Sequence, residues 1–184
     1  GAARIGDPMS PDTNVGPVTT PPQYRKVLDY IEVARNEGAT CVLGGKPYTG
    51  PGANGTQFVE PTIFTDVRND MRIAQEEVFG PVLAVIPFED EEEAVQIAND
   101  VDFGLAAGVW TSDIGRSIRM AERLEVGTVW VNTYRAVSYT SPFGGYKRSG
   151  IGRESGIDAV REYLQLKSVW IATETSTSNP FVIR

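Results

Sequence analysis

The chain has 184 residues, 41% hydrophobic and 22% charged, a composition that buries a core and excludes disorder as the general state. Seventeen Lys and Arg against 24 Asp and Glu leave a net charge of −7, which argues against nucleic acid or an anionic membrane as the main partner. No apolar run approaches the roughly 18–20 residues of a membrane span, and no signal-peptide pattern opens the sequence. A single cysteine rules out an internal disulfide and fits a reducing compartment, so a cytoplasmic protein is expected. Histidine is absent. Ser-His and Cys-His nucleophile pairs and the common His-ligated metal sites are therefore excluded, and no metal is expected.

The opening G-A-A-R-I-G-D-P-M-S-P-D-T-N-V-G-P-V is rich in turn formers and reads as a loop. Pro21 and Pro22 fit the first turn of a helix whose apolar face is Tyr24, Val27, Leu28, Ile31 and Ala34, stopped by Gly38. A short strand is expected over 40–43, closed by Gly44 and Gly45, then a turn-rich loop over 50–55. Pro61 splits 58–64 into two short extended pieces, expected at a sheet edge.

From residue 82 the pattern becomes regular. The apolar run 82–88 predicts a strand buried on both faces. A helix over 91–99 turns Ala94, Val95, Ile97 and Ala98 toward a core, and its leading Glu91, Glu92 and Glu93 read as a solvated face that suits the helix dipole. A second strand covers 106–110. A second helix covers 113–124, with Ile114, Ile118 and Ala121 at helical spacing, and a third strand covers 128–131. This β-α-β-α-β order with short connections predicts one parallel sheet with right-handed crossovers and flanking helices, an α/β fold. Ligands of such sheets collect beyond the carboxyl ends of the strands.

The segment 131–154 leaves from one of those ends. Asn132 ends the strand, and Tyr134, Tyr139, Phe143 and Tyr146 then alternate with hydroxyls, glycines and the cations Lys147, Arg148 and Arg153. An aromatic loop in this place is suited to lining a cavity. The three cations read as members of ion pairs rather than a phosphate patch, and Gly144-Gly145 is no dinucleotide fingerprint. Beyond it come a short helix over 154–162, a strand over 163–171 too apolar to stand as a free edge, and a polar tail over 173–184. Trp110, Trp130 and Trp170 read as core or interface residues.

Two motifs in this order carry a resemblance. Q-E-E-V-F-G-P-V spans 75–82 and S-P-F-G-G-Y-K-R-S-G-I-G-R-E spans 141–154. With E-P-T-I-F at 60–64 and G-L-A-A-G-V-W at 104–110, the chain resembles the C-terminal catalytic-domain portion of the aldehyde dehydrogenase superfamily. The resemblance implies a catalytic-domain-like fold over 1–162, an oligomerisation strand over 163–172 and a tail over 173–184. It implies NAD or NADP as cofactor and oxidation of an aldehyde to a carboxylic acid through a cysteine thiohemiacetal and thioester. It further implies a homodimer or homotetramer in the full-length protein.

By the same resemblance Glu77 holds the nicotinamide ribose, as a carboxylate able to accept from both vicinal hydroxyls. Phe79 packs near the nicotinamide ring, and Gln23 and Lys26 fall where the family contacts the adenosine ribose. Phe143 matches the substrate tunnel, Val137 and Tyr139 its variable part, and Glu154 a proton path. The family's nucleophilic cysteine, general-base glutamate and oxyanion-hole asparagine lie upstream of these motifs. Cys41, in an apolar strand without a basic partner, reads as a buried structural thiol. No catalytic nucleophile is therefore expected within this chain, and the chain alone is expected to be inactive. Two other readings remain open: a non-catalytic structural or oligomerisation module, and a semialdehyde or phosphate-substrate reductase of the same fold.

Overall fold

A computed structural model describes residues 3–53 and 57–173; residues 54 and 55 of the expected 50–55 loop and all of the tail beyond 173 lie outside them. Helix α1 (Pro21–Asn36) starts where the sequence places it, with the Thr20 hydroxyl accepting from the Gln23 amide and two prolines in the first turn. Val27, Ile31 and Ala34 are buried, Tyr24 and Leu28 pack beside them, and Gly38 ends the run at φ 100°.

The helix covers a three-stranded sheet ordered β1-β2-β3, from β1 (Thr40–Leu43), β2 (Thr62–Thr65) and β3 (Val82–Ala84). β1 and β2 are antiparallel, whereas β2 and β3 are parallel with Thr62 opposite Val82. The two extended pieces around Pro61 exist, as a Pro47–Val59 bridge and then β2. Their expected edge position does not: β2 is the central strand, and Phe64 is fully buried. Helix α2 (Arg72–Gln75) closes this core, which also holds Ala39, Val59, Val67, Met71, Ile73 and Val78. Cys41 packs at its margin half-buried, with its Sγ 3.4 Å from the Leu43 carbonyl.

Helix α3 (Glu91–Asn99) and helix α4 (Ile114–Arg123) are capped by Asp90 and Asp113, whose carboxylates accept from the amides of Glu93 and Arg116. Between and after them lie β4 (Phe103–Gly104), β5 (Ala106–Val109) and β6 (Thr128–Val131), and β5 pairs with β6 in parallel register from Ala106–Thr128 to Val109–Val131. The parallel β-α-β reading thus survives for one pair, β5-α4-β6. The single parallel sheet does not: among the described residues β3 pairs only with β2, and β5 only with β6. Periodicity marks a strand, but its neighbours are a tertiary matter. For the same reason the expected 82–88 strand ends at Ala84, with Leu83 56% exposed rather than buried on both faces.

A second, smaller core gathers Val95, Met120 and Leu124 under Ala107, Val109, Val126 and Val129. On α3 only Val95 of the four expected residues is buried, and Ala98 is exposed. On α4 the stripe of Ile114, Ile118 and Ala121 points outward, and Ser117 and Met120 take the inner face. Trp110 is exposed too.

Gln75 joins the two regions. Its side-chain amide donates to the Asn69 carbonyl at 2.6 Å and to the Asp100 carbonyl, at the end of α3, at 2.8 Å.

Strand β7 (Tyr146–Lys147) pairs antiparallel with β4, and a 3-10 helix (Ile157–Tyr163) replaces the expected 154–162 helix. The expected strand over 163–171 is not formed: residues 164–172 have no strand partner, and Leu166 and Trp170 are almost fully exposed. A strand needs hydrogen bonds from a neighbour, and no described residue supplies them.

Candidate functional site

The Q-E-E-V-F-G-P motif forms the loop between α2 and β3, and almost every residue of it is tied to α1. The Glu76 carboxylate is bound by Arg72 through two hydrogen bonds at 2.8 and 2.9 Å and by the Tyr30 hydroxyl. Arg72 also lies over the Tyr30 ring, 5.3 Å from its centroid. Hydrogen bonds from Arg72 and then Tyr30 pull the Glu76 carboxyl down to about 2. The bond to Glu76 pushes the Tyr30 hydroxyl the other way, above the ordinary phenol range. The Glu76 carboxylate is therefore engaged in holding the loop to α1 and α2.

The next three carbonyls also face α1. Lys26 Nζ donates to the Glu77 carbonyl at 2.8 Å, and Gln23 Nε2 donates to Val78 O at 2.8 Å and Phe79 O at 3.2 Å. Gly80 lies against Val27, whose Cγ2 would sit 2.6 Å from an added Cβ. Val78 turns inward and is buried, whereas Glu77 is exposed and Phe79 is 73% exposed. The ledge thus presents a carboxylate and an aromatic ring outward, two residues apart. Among the described residues Glu77 enters no ion pair. It lines a cavity of ≈ 530 Å³ floored by residues 103–107, Leu124 and Val126. An unpaired carboxylate beside an open ring suits a vicinal diol next to a planar heterocycle.

The 131–154 loop is anchored at both ends. Asn132, at φ 54°, ends β6 and stitches it to the segment after β5: Thr111 N donates to its Oδ1 at 2.9 Å, and its Nδ2 donates to Thr111 O at 2.8 Å. Trp130 Nε1 donates to Ala136 O at 2.7 Å, and the Trp130 and Tyr134 rings meet edge-on at 5.6 Å. At the far end Phe143 and Glu154 exchange two backbone hydrogen bonds of 2.8 Å. Gly127 permits this seat, because a Cβ there would collide with the Gly144 carbonyl.

This anchoring brings the expected tunnel residues together. Val137, Tyr139, Phe143 and Glu154 line one cavity of ≈ 640 Å³ with Thr128, Trp130 and Pro142. Val137 and Phe143 also border a neighbouring cavity with Leu105, Ala106 and Ala107. Those three residues line the Glu77 cavity as well. Strand β5 is thus the partition between the ledge and the aromatic loop.

Of the three loop cations, Lys147 pairs with Glu125 at 2.7 Å and Arg148 with Asp102 at 3.0 Å, as expected. Arg153 instead donates to the carbonyls of Gly145 and Gly152. One cluster was not legible beforehand. Glu91, read as solvated, is 21% exposed and accepts from Arg119 through both oxygens and from Arg116, which locks α3 to α4. These bonds, Arg119's foremost, lower its carboxyl to about 2. The signal available was three arginines on α4 near three glutamates on α3.

A sequence model described as the Aldehyde dehydrogenase family matches residues 2–169. The chain belongs to the aldehyde dehydrogenase family. It is 51% identical over 168 residues to a betaine aldehyde dehydrogenase of Brucella anthropi and 49% identical over 170 residues to one of Cereibacter sphaeroides. These matches cover 91% and 92% of the chain but 34% of each relative, so the chain spans about a third of their length. Among solved structures, the aldehyde dehydrogenase KauB of Pseudomonas aeruginosa matches with a TM-score of 0.86 at 49% identity, over 92% of this chain and 34% of that one. A betaine aldehyde dehydrogenase of Staphylococcus aureus in complex with NAD+ matches with a TM-score of 0.89 at 43% identity, over 97% of this chain and 36% of its own.

Proposed function

We propose that this chain is the C-terminal catalytic-domain portion of an NAD(P)+-dependent aldehyde dehydrogenase that oxidises an aldehyde to a carboxylic acid. The observation that carries the reading is the α1-held loop that turns Glu77 and Phe79 outward, with Glu77 lining the cavity bordered by β5. When bound, the nicotinamide accepts the hydride from the substrate. This chain's part is to bind and orient. The Glu77 carboxylate accepts from the ribose hydroxyls, and the Phe79 ring shields one face of the nicotinamide. Val137, Tyr139 and Phe143 form an apolar and aromatic wall that positions the aldehyde and excludes water. Glu154 sits in the same cavity, exposed, where it can pass a proton to solvent.

The thiol that forms the thiohemiacetal and the base that activates water for thioester hydrolysis belong to a part of the enzyme outside this chain. The 184 residues alone are inactive. Aldehyde-dependent NADH formation by the isolated chain, followed at 340 nm, would contradict this. The intact enzyme should reduce NAD(P)+ with an aldehyde, and betaine aldehyde is the first to try, since betaine aldehyde dehydrogenases are among the similar proteins. A location in the cytoplasm fits the absence, among the described residues, of any helix long and apolar enough to cross a membrane.

The 163–172 segment, which beyond Tyr163 has no strand partner among the described residues, is the oligomerisation strand. It presents Leu166, Val169, Trp170 and Ile171 to solvent and fits the edge of a neighbouring subunit's sheet. Leu166→Asp should shift the intact homodimer or homotetramer toward monomer in sedimentation velocity. An unchanged assembly would rule the segment out.

A further inference from the structure

We propose that Arg135 sets the substrate class: an aldehyde with an apolar or aromatic body and a carboxylate at the end remote from the reacting carbon. This rests on the reading of Val137 and Phe143 as the aldehyde wall given above. Both residues border a cavity of ≈ 530 Å³ together with Leu105, Ala106, Trp130 and Tyr134. Arg135 lines the same cavity and is the only charged residue that does. An apolar cavity with one charge orients a ligand that has one apolar end and one end of opposite charge.

The guanidinium is held without being neutralised. It lies over the Tyr134 ring, 5.2 Å from the centroid, and Tyr134 in turn meets Trp130 edge-on. Stacking uses the face of the guanidinium plane and leaves the N–H donors at its edge, in the fork that matches a carboxylate. Among the described residues Arg135 enters no ion pair, unlike Lys147 and Arg148 of the same loop. The sequence has no Asp or Glu between Glu125 and Glu154. Glu125 is taken by Lys147, and Glu154 lines the adjoining cavity but not this one. The one indole N–H of the wall is spent on the Ala136 carbonyl. Arg135 itself sits at φ 56°, a backbone region that long side chains seldom adopt and that recurs at ligand sites.

The same arrangement works against a quaternary ammonium aldehyde. An aromatic face attracts such a cation, but the Tyr134 face already carries the guanidinium, and a second positive charge beside it is repelled. Betaine aldehyde is by this geometry a poorer substrate than an oxo acid.

The test uses the intact enzyme with NAD(P)+ and a homologous series of straight-chain ω-oxo acids, each beside its own methyl ester, with betaine aldehyde as the cationic comparison. At the best-fitting length the acid should have a KM roughly tenfold below that of its ester, as for one hydrogen bond between charged groups. High salt should narrow that gap, a readout that needs no variant. Arg135→Gln should raise the KM for the acid to that of the ester, and Arg135→Glu should reverse the order. The side chain is exposed, and the thermal midpoint of each variant checks that the fold is kept.

Equal KM values for acid and ester throughout the series, or a preference for the acid that survives Arg135→Gln, would overturn the proposal and leave the dehydrogenase reading intact. A lower KM for betaine aldehyde than for every oxo acid would overturn it as well. If none of these aldehydes reduces NAD(P)+, the dehydrogenase reading falls and this proposal with it.

Discussion

The α1–β1–β2–β3 region and the α3–β5–α4–β6 region are built in opposite ways. In the first, one helix lies across a three-stranded sheet and buries ten hydrophobic residues, among them Val27, Ile31 and Phe64, almost completely. In the second, two strands and two helices bury only Val95, Met120 and Leu124, and leave Leu105, Trp110, Ile114 and Ile118 in solvent. What the second region lacks in core it replaces with charge, through Glu91 to Arg116 and Arg119 and Glu92 to Arg123. The difference teaches where each half of the site gets its rigidity. The ledge of Glu77 and Phe79 stands on a packed core, whereas the aromatic loop stands on a sheet pair whose outer faces are bare.

The contrast breaks most visibly under core truncation. Phe64→Ala should destabilise the chain by about 3–5 kcal/mol, the range for a large buried aromatic. Met120→Ala, in the smaller core, should cost less, toward about 2 kcal/mol. Urea unfolding of the two variants compares them directly, and equal losses would show that the second core is as tight as the first.

Gly127→Ala sharpens the contrast within the second region. The added methyl meets the Gly144 carbonyl, so the 143–154 loop must move off the start of β6. In the intact enzyme the KM for aldehyde should rise severalfold while that for NAD+ changes much less, because the ledge rests on the other core. A larger effect on NAD+ than on aldehyde would argue against that separation.

The helices were legible because their signals are local: Pro21 and Pro22 at the start of the first, Gly38 after it, and helical spacing of apolar residues within each. The strands were located but their sheet was not, since the hydrogen-bond partner of Val82–Ala84 is β2, 20 residues away in the aligned register of Thr62 and Val82. The outward face of α4 misled for a related reason. Ile114 and Ile118 have helical spacing, yet the residues that meet β5 and β6 are one step round the helix at Ser117 and Met120. The family resemblance marked Glu77, Phe79 and Phe143, but the tethering of the ledge by Gln23 and Lys26 depends on residues more than 50 positions apart, which no pattern reveals.

Acid exposes the role of charge. Glu91 has its carboxyl lowered from 4.5 to about 2, so its contribution to stability is complete above about 4.5 and is lost as pH falls toward 2. Glu91→Gln should remove that dependence and lower the thermal midpoint at neutral pH more than at pH 3. Glu76 follows the same sign in the first region, with its carboxyl also lowered from 4.5 to about 2. An acid limb unaltered by Glu91→Gln would mean the α3–α4 clamp contributes nothing. The smallest effect is expected at the bare faces: Ile118→Gln in the isolated chain should change stability by no more than about 0.5 kcal/mol, as for an ordinary surface position.

The account turns on Glu77 as the cofactor's ribose ligand, and one comparison tests it most directly. In the intact enzyme, Glu77→Gln keeps the shape of the side chain but surrenders the charge-assisted acceptors, so the KM for NAD+ should rise roughly tenfold or more, with the thermal midpoint of the apoenzyme unchanged. An unaltered KM for NAD+ in a folded Glu77→Gln enzyme would contradict it.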